Sequence, residues 1–258
     1  MYRRSRRKLR GGFRKALEDP DAPLAVDMQG SSSTLLLAFG GMKGELGMPP
    51  FEFLGVTEAF SVKRIFIRDL HQAWYHRGIP GLGENVHDAA DSLAQLIASH
   101  NIEKLVVAGS SAGGYAALVF GSLLGADTVL GFAPQTVIDP DTLAEMDDHR
   151  WDEELGPLIA SGALDRRLMD LRVVLPEARR ADIRYEIYFA EPRGPGERPV
   201  ARADMRHAER LLGLAGVRLY RFGKGEHRIA RTLRDTGALD RVLGRALAGD
   251  TAERPSHP

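Results

Sequence analysis

Short apolar runs alternate along the chain with longer stretches whose apolar residues recur at helical spacing. Runs of this length, bounded by glycine, proline and charged residues, are typical of buried strands. The predicted strands span residues 23–28, 34–39, 62–67, 105–108, 127–132, 183–189 and 217–222. The clearest helical spacing lies over 85–100, where an amphipathic crossover between two strands is expected. This alternation predicts an α/β fold, with an open, mostly parallel sheet and helices on both faces.

A single α/β domain over residues 23–248 accounts for this pattern. Residues 138–181 contain no strand-like run, so a small helical cap is expected there, between two strands of the sheet. The acidic residues between positions 139 and 154 are expected to form a solvated face rather than a metal site, because the glycine and terminal glutamate of a calcium loop are missing. Residues 1–22 and 249–258 are expected to be disordered tails.

The charge of the chain is balanced overall but unevenly distributed. The 258 residues include 35 basic and 35 acidic ones, and the first fifteen residues hold eight of the basic ones and no acidic one. The rest of the chain therefore carries 27 basic against 35 acidic residues. The basic segment is expected to be solvated, with loose binding to an anionic membrane surface or to nucleic acid as the alternative. An acidic body without a recognised nucleic-acid-binding motif predicts no specific nucleic-acid partner.

Composition excludes several classes of protein. The chain has no cysteine, which excludes a disulfide framework, thiolate chemistry and a cysteine metal site. No apolar run approaches the length of a membrane span, and the N-terminus lacks the apolar segment of a secretory signal. We therefore expect a cytoplasmic protein with no transmembrane segment.

A G-x-S-x-G motif, Gly109-Ser-Ser-Ala-Gly113, lies between the strand 105–108 and a helix-compatible stretch over 115–124. A serine at such a sharp turn needs a strained backbone and small neighbours, which glycine supplies at both flanking positions. Ser111 would also lie at a helix N-terminus, whose N–H groups favour developing negative charge. Ser111 is therefore a candidate nucleophile. The alternatives are Ser110 as the nucleophile, or a glycine-rich turn in which Ser111 only caps the helix.

A serine nucleophile needs a base and a carboxylate that orients the base. His227 is the candidate base, because it lies in a glycine-rich loop just after the last predicted strand, at the same sheet edge as Ser111. A solvent-exposed loop histidine is the alternative. Asp204, expected to cap the start of a helix over 205–212, is the candidate acid. Glu191, near the end of the strand 183–189, is its rival.

Two further loops follow predicted strands, at the edge where open α/β sheets bind ligands. The loop after the strand 34–39 begins with two glycines, and a backbone N–H at Gly41 or Met42 is a candidate oxyanion donor. A flexible strand exit is the alternative. The loop after the strand 62–67 carries four side chains that either line a pocket or pack a surface loop: His71, Trp74, Tyr75 and His76.

The chain resembles the α/β-hydrolase superfamily over about residues 23–248. The resemblance rests on Phe39-Gly-Gly-Met42, Gly109-Ser-Ser-Ala-Gly113, the carboxylate at Asp204 and Gly225-Glu-His227. It implies that Ser111 is the nucleophile, His227 the base and Asp204 the acid. It also implies that the oxyanion donors are the Ala112 N–H and the Gly41/Met42 turn. No metal and no organic cofactor are expected.

The activity implied by this resemblance is that of a serine hydrolase. It would cleave a carboxylic ester or thioester of a small-molecule acyl substrate through an acyl-enzyme. An acyltransferase with the same three residues is one alternative, and a non-catalytic member of the fold that binds a partner is another. A nucleotide-binding domain would use Gly109–Gly114 to hold phosphate at the helix N-terminus, but this run does not match the glycine patterns of phosphate-binding loops.

Overall fold

The computed structural model describes residues 11–42, 53–192, 199–223 and 226–248. Within them, seven strands form one sheet: β1 (Leu24–Asp27), β2 (Thr34–Phe39), β3 (Lys63–Ile67), β4 (Lys104–Ser110), β5 (Thr128–Phe132), β6 (Arg184–Ala190) and β7 (Val217–Phe222). Their order across the sheet is β1-β3-β2-β4-β5-β6-β7. Only the edge pair β1–β3 is antiparallel, and the other neighbours are parallel. The predicted open, mostly parallel sheet is confirmed.

Helices cover both faces of this sheet. In chain order they are α1 (Gly11–Glu18), α2 (Leu54–Thr57), α3 (Val86–Ala98), α4 (Ala112–Leu124), α5 (Pro140–Glu145), α6 (Asp152–Ala160), α7 (Leu171–Val174), α8 (Pro199–Glu209), α9 (Ile229–Asp235) and α10 (Ala238–Leu247). None of the helices in the described ranges is long and apolar enough to cross a membrane.

The sheet separates two buried cores. In β2, Leu35, Leu37 and Phe39 pack on the side of α3 and α4, whereas Leu36 and Ala38 pack on the side of α1, α9 and α10. Successive side chains of a strand point to opposite faces, so a central strand covered by helices on both faces must be apolar throughout. This explains why β2 reads in the sequence as an unbroken apolar run.

Residues 133–183, which we call the β5–β6 segment, connect β5 to β6. They form α5, α6, a 3₁₀ turn at Arg166–Leu168 and α7, with no strand among them. The segment is anchored in the same core as α3 and α4 through eleven buried apolar side chains: Val137, Ile138, Leu143, Trp151, Leu155, Leu158, Leu168, Leu171, Val174, Leu175 and Ile183. The segment predicted as a helical cap is thus helical, and its apolar side chains extend the core.

The expectation of a disordered tail over residues 1–22 is wrong for residues 11–18. Residues 11–18 form α1, and Phe13 is buried on the sheet, with its ring centroid 6.2 Å from that of Phe66. The guanidinium carbon of Arg64 lies 5.7 Å from the centre of the Phe13 ring. Ala16 and Leu17 pack against the same core, so the apolar side chains of α1 hold this short helix on the sheet. Residues 1–10 and 249–258 lie outside the described residues.

The predicted start of α8 is also wrong. The helix begins at Pro199, so Asp204 lies in its middle and is not its N-cap. A proline suits the first turn of a helix because its missing N–H would have no intrahelical partner there. Asp204 therefore lies on one side of α8, facing the elements that pack beside this helix, and not at the helix N-terminus.

Candidate active site

The turn at Ser111 connects β4 to α4 through a strained backbone. Ser111 has φ 54° and ψ −122°, and its N–H donates a 2.9 Å hydrogen bond to the carbonyl oxygen of Phe132 in β5. A Cβ atom on Gly109 would lie 2.0 Å from the carbonyl oxygen of Gly113, and one on Gly113 would lie 2.4 Å from that of Phe39. Both glycines of the motif are therefore required by close backbone packing, and not only by flexibility.

Ser111 and Asp204 both lie within hydrogen-bonding distance of His227. The Nε2 atom of His227 is 2.9 Å from the Oγ atom of Ser111, and its Nδ1 atom is 2.9 Å from one carboxylate oxygen of Asp204 and 3.0 Å from the other. Because a carboxylate only accepts hydrogen bonds, the ring nitrogen of His227 that faces Asp204 must carry the proton. The ring proton is therefore assigned to Nδ1. The lone pair of Nε2 then faces the serine hydroxyl, which donates to it.

These three side chains come from different parts of the fold. Ser111 follows β4, His227 lies in a 3₁₀ turn after β7, and Asp204 lies on α8 after β6. Because parallel strands end at the same sheet edge, the segments that follow them meet there. Glu191 lies elsewhere: its side chain is exposed and its carboxylate is 3.9 Å from Arg221. The structure therefore places Asp204, and not Glu191, against the imidazole.

The turn after β2 packs directly on the serine turn. A Cβ on Gly113 would also lie 2.7 Å from the carbonyl oxygen of Gly40, so the two backbones touch. The next residues are Gly41, which is half-buried, and Met42, which is buried. Ala112 is the first residue of α4, where an N–H has no intrahelical acceptor. The candidate oxyanion donors thus lie on two adjacent turns beside Ser111.

The loop after β3 packs into the protein interior. Trp74, Tyr75 and His76 are almost fully buried in the protein interior rather than packed in a surface loop, whereas His71 is exposed. The indole N–H of Trp74 donates to the side-chain oxygen of Gln135 at 2.5 Å. Trp74 and Tyr75 have φ values of 49° and 66°, a strained conformation for such bulky residues.

Asp69 holds this strained loop together. Its carboxylate accepts hydrogen bonds from the backbone N–H groups of His71, Ala73 and Tyr75 at 3.1, 2.7 and 3.0 Å. Burial raises the pKa of Asp69, although the three N–H donors favour its charged form. The loop is therefore built around one buried acceptor.

The contact of Arg150 with the candidate acid was not anticipated from the sequence. Its guanidinium Nη1 atom donates to the Oδ1 atom of Asp204 at 2.9 Å. Its Nε and Nη2 atoms donate to the two carboxylate oxygens of Asp148 at 2.7 and 2.8 Å. Asp148 also accepts a 3.0 Å hydrogen bond from Nε2 of His207. Arg150 and Asp204 are far apart in the sequence, and no local pattern links them.

Asp148 is buried, which corrects the expectation that the acidic residues between 139 and 154 all lie on a solvated face. Burial opposes its ionisation, but hydrogen bonds from Arg150 and His207 outweigh burial and hold the pKa of Asp148 far below its usual value. Burial also lowers the pKa of His207, which keeps this imidazole neutral. Among the residues that the structure describes, no group of three or more histidine and carboxylate side chains is arranged to hold a metal ion.

Comparison with known proteins identifies the fold. No protein-family model matches the sequence, and no curated protein matches it by sequence. Among solved structures, a fluorophosphonate-binding serine hydrolase of Staphylococcus aureus, FphF, has a TM-score of 0.58 at 13% identity, over 84% of this chain and 84% of that chain. The capsule O-acetyltransferase of Neisseria meningitidis serogroup A has a TM-score of 0.58 at 12% identity, over 83% of this chain and 88% of that chain.

A third structure is the S-formylglutathione hydrolase FrmB of Staphylococcus aureus. Its TM-score is 0.56 at 16% identity, over 84% of this chain and 84% of that chain. All three similarities extend across most of both chains. The chain therefore has the α/β-hydrolase fold, as its sequence motifs predict.

Proposed function

We propose that this protein is a serine hydrolase that cleaves a carboxylic ester or thioester of a small-molecule acyl substrate. The observation that carries the proposal is the position of one imidazole between a hydroxyl and a carboxylate. His227 lies 2.9 Å from the hydroxyl oxygen of Ser111 and 2.9 Å from the carboxylate of Asp204. This arrangement suits acyl transfer, because an isolated serine hydroxyl is a poor nucleophile at neutral pH.

In the first step, the Oγ atom of Ser111 attacks the acyl carbon while Nε2 of His227 takes the hydroxyl proton. The negative charge that develops on the acyl oxygen would be held by the Ala112 N–H and by an N–H of the Gly41/Met42 turn. Collapse of this intermediate breaks the bond to the leaving group, which receives the proton from His227. The acyl group is then bound to Ser111 as an ester.

In the second step, a water molecule gives its proton to His227 and attacks the acyl-enzyme. The carboxylic acid leaves, and Ser111 takes back the proton. In both steps Asp204 holds the neutral imidazole in the required tautomer and stabilises the imidazolium that forms. The carboxylate is suited to this role, since its side chain is 2% exposed and both of its oxygens face the ring.

Acyl transfer to an alcohol or amine acceptor is the second candidate function. The O-acetyltransferase described above has the same fold over most of both chains, so this fold supports transfer as well as hydrolysis. The same three residues would act, and an acceptor hydroxyl would replace water in the second step. Product analysis separates the two: a hydrolase releases a free acid from the acyl-enzyme, whereas a transferase forms a new ester when the acceptor is added.

A fluorophosphonate probe tests the proposed nucleophile on the full chain. We expect covalent labelling, with the modified residue mapped to Ser111 by mass spectrometry, and loss of labelling in Ser111→Ala and His227→Ala. Ser110→Ala is the matched control, because Ser110 is an equally buried neighbour and should be dispensable for labelling. Folded wild-type protein that is not labelled would overturn the proposal and favour a non-catalytic binding protein. Labelling at Ser110 would instead assign the nucleophile to Ser110 and overturn the role of Ser111.

A further inference from the structure

A positive charge lies directly behind the carboxylate proposed as the catalytic acid. The Nη1 atom of Arg150 donates to the Oδ1 atom of Asp204 at 2.9 Å, and this same oxygen lies 3.0 Å from Nδ1 of His227. The Arg150 side chain is 19% exposed and that of Asp204 is 2% exposed. An ion pair of this kind, largely shielded from water, is stronger than one on the surface.

The guanidinium is itself held in one orientation. Asp148 accepts two parallel hydrogen bonds from Nε and Nη2 of Arg150, the bidentate geometry that fixes a planar guanidinium. Asp148 is fixed in turn by the Nε2–H of His207, whose Nδ1 atom accepts the backbone N–H of Thr136 at 3.1 Å. Each side chain in the series Asp204, Arg150, Asp148 and His207 is therefore held in place by a hydrogen bond to the next one.

We infer that Arg150 is a positioning residue for the Ser111 centre, which orients Asp204 toward His227 and is itself oriented by Asp148. The inference rests on the proposed function of Ser111, His227 and Asp204. It assigns a role to the β5–β6 segment as well, since both Arg150 and Asp148 belong to it.

Two physical effects follow from this arrangement. The first is geometric: the hydrogen bond from Arg150 opposes rotation of the Asp204 carboxylate away from the imidazole. The second is electrostatic, because a cation near an imidazole disfavours its protonated form, whereas an anion favours it. Arg150 and Asp148 therefore act on the protonation of His227 in opposite directions. A residue that only supports the fold would have neither effect.

The test measures the rate of inactivation by a fluorophosphonate as a function of pH, on the full chain. The rate falls at low pH as the base becomes protonated, and this acid limb reports the state of His227. In Arg150→Gln we expect a rate at about pH 8 that is reduced on the order of tenfold to a hundredfold, because the acid is less well oriented. Its acid limb should move to higher pH, since a cation has been removed.

Two further variants sharpen the test. Asp148→Asn removes an anion and should move the acid limb to lower pH. Arg150→Lys keeps the charge but not the planar fork, so we expect a reduced rate with an acid limb close to that of the wild type. It also keeps the test decisive if Arg150→Gln does not fold.

The matched control is Arg210→Gln. Arg210 also bonds an aspartate of the β5–β6 segment, Asp170, at 2.6 Å, and its side chain is 17% exposed, but its carboxylate partner is Asp170 rather than Asp204. We expect this variant to keep the wild-type rate and pH dependence. Equal effects of Arg150→Gln and Arg210→Gln, or no effect of Arg150→Gln, would overturn the positioning role while the proposed function stands. Absence of labelling at Ser111 in the folded wild type would instead overturn the proposed function itself.

Discussion

The hydroxyl of Tyr75 donates a 2.8 Å hydrogen bond to the carbonyl oxygen of Gly40, the residue at which the chain leaves β2. The strained loop after β3 is thereby attached to the turn that would supply an oxyanion donor. Tyr75 is fully buried and its hydroxyl also lies 3.3 Å from the carbonyl oxygen of Ile67. A side chain predicted as a possible pocket wall thus supports the backbone of the candidate site.

Tyr75→Phe should therefore affect both stability and reactivity. Loss of a buried hydroxyl donor is expected to lower the free energy of unfolding by about 1–3 kcal/mol. It should also slow fluorophosphonate labelling about tenfold, because the Gly40 turn is less well fixed. Urea unfolding and labelling kinetics measure the two effects.

Tyr185→Phe is the control for that variant. Tyr185 is also buried, and its hydroxyl lies 2.8 Å from that of Ser122, away from the serine turn. We expect a similar loss of stability with no change in the labelling rate. Equal labelling rates in Tyr75→Phe and the wild type would show that the hydrogen bond does not matter for the site.

Asp204→Asn tests which of the two candidate carboxylates, Asp204 or Glu191, acts as the acid. The side-chain oxygen of the new amide would accept from Arg150, which leaves its NH₂ group facing Nδ1 of His227. The imidazole would then carry its proton on Nε2, where it cannot accept one from Ser111. We expect a loss of reactivity of up to about 10⁴-fold. Glu191→Gln should react like the wild type, and the reverse result would assign the acid to Glu191.

Gly113→Ala tests the close packing of the two turns. The added Cβ would lie 2.4 Å from the carbonyl oxygen of Phe39, so we expect a loss of about 1–3 kcal/mol or more in unfolding free energy, together with loss of labelling. Gly55→Ala is the control, because a Cβ at that position in α2 would meet no atom within 4 Å apart from its chain neighbours and its own helix. It should stabilise the protein by about 1 kcal/mol. Thermal or urea unfolding of both variants measures the difference.

His76 should make the folded state sensitive to acid. Its Nδ1 atom accepts the backbone N–H of Asp165 and its Nε2–H donates to the hydroxyl of Tyr115, so the ring is held neutral. Burial lowers the pKa of His76 to about 4, from an ordinary value of 6.5. Between these two pH values the unfolded chain binds a proton that the folded protein does not. Stability is therefore expected to fall as the pH falls through this range, by about 1.4 kcal/mol per pH unit.

Urea unfolding at several pH values, in the wild type and in His76→Gln, tests this dependence. The variant should show a shallower decline, although some decline remains because burial lowers the pKa of His207 as well. His149→Gln changes a histidine whose side chain is 61% exposed and should leave the slope as it is. An identical slope in the wild type and His76→Gln would contradict the assignment.

The sequence alone determined the sheet and the serine turn. β2 and β7 have the bounds that their apolar patterns predict, and Ser111 lies at the predicted strand-to-helix turn. These features are local: a strand covered on both faces must be apolar, and a sharp turn between strand and helix must have glycine where backbones touch. His227 could be selected for a similar reason, since a loop after a parallel strand lies at a known edge of the sheet.

Only the tertiary structure decided the surroundings of these residues. Asp204 was expected at a helix end but lies within α8, and the choice between it and Glu191 depended on which face of that helix meets His227. Phe13 fixes α1 against the sheet, and Arg150 joins Asp204 across 54 positions of the sequence. Contacts between residues so far apart depend on how whole elements pack, and packing is set by buried area and the partners of buried charges. Neither leaves a periodic pattern in the chain, so the sequence identifies candidate reactive groups while the folded structure decides what orients them.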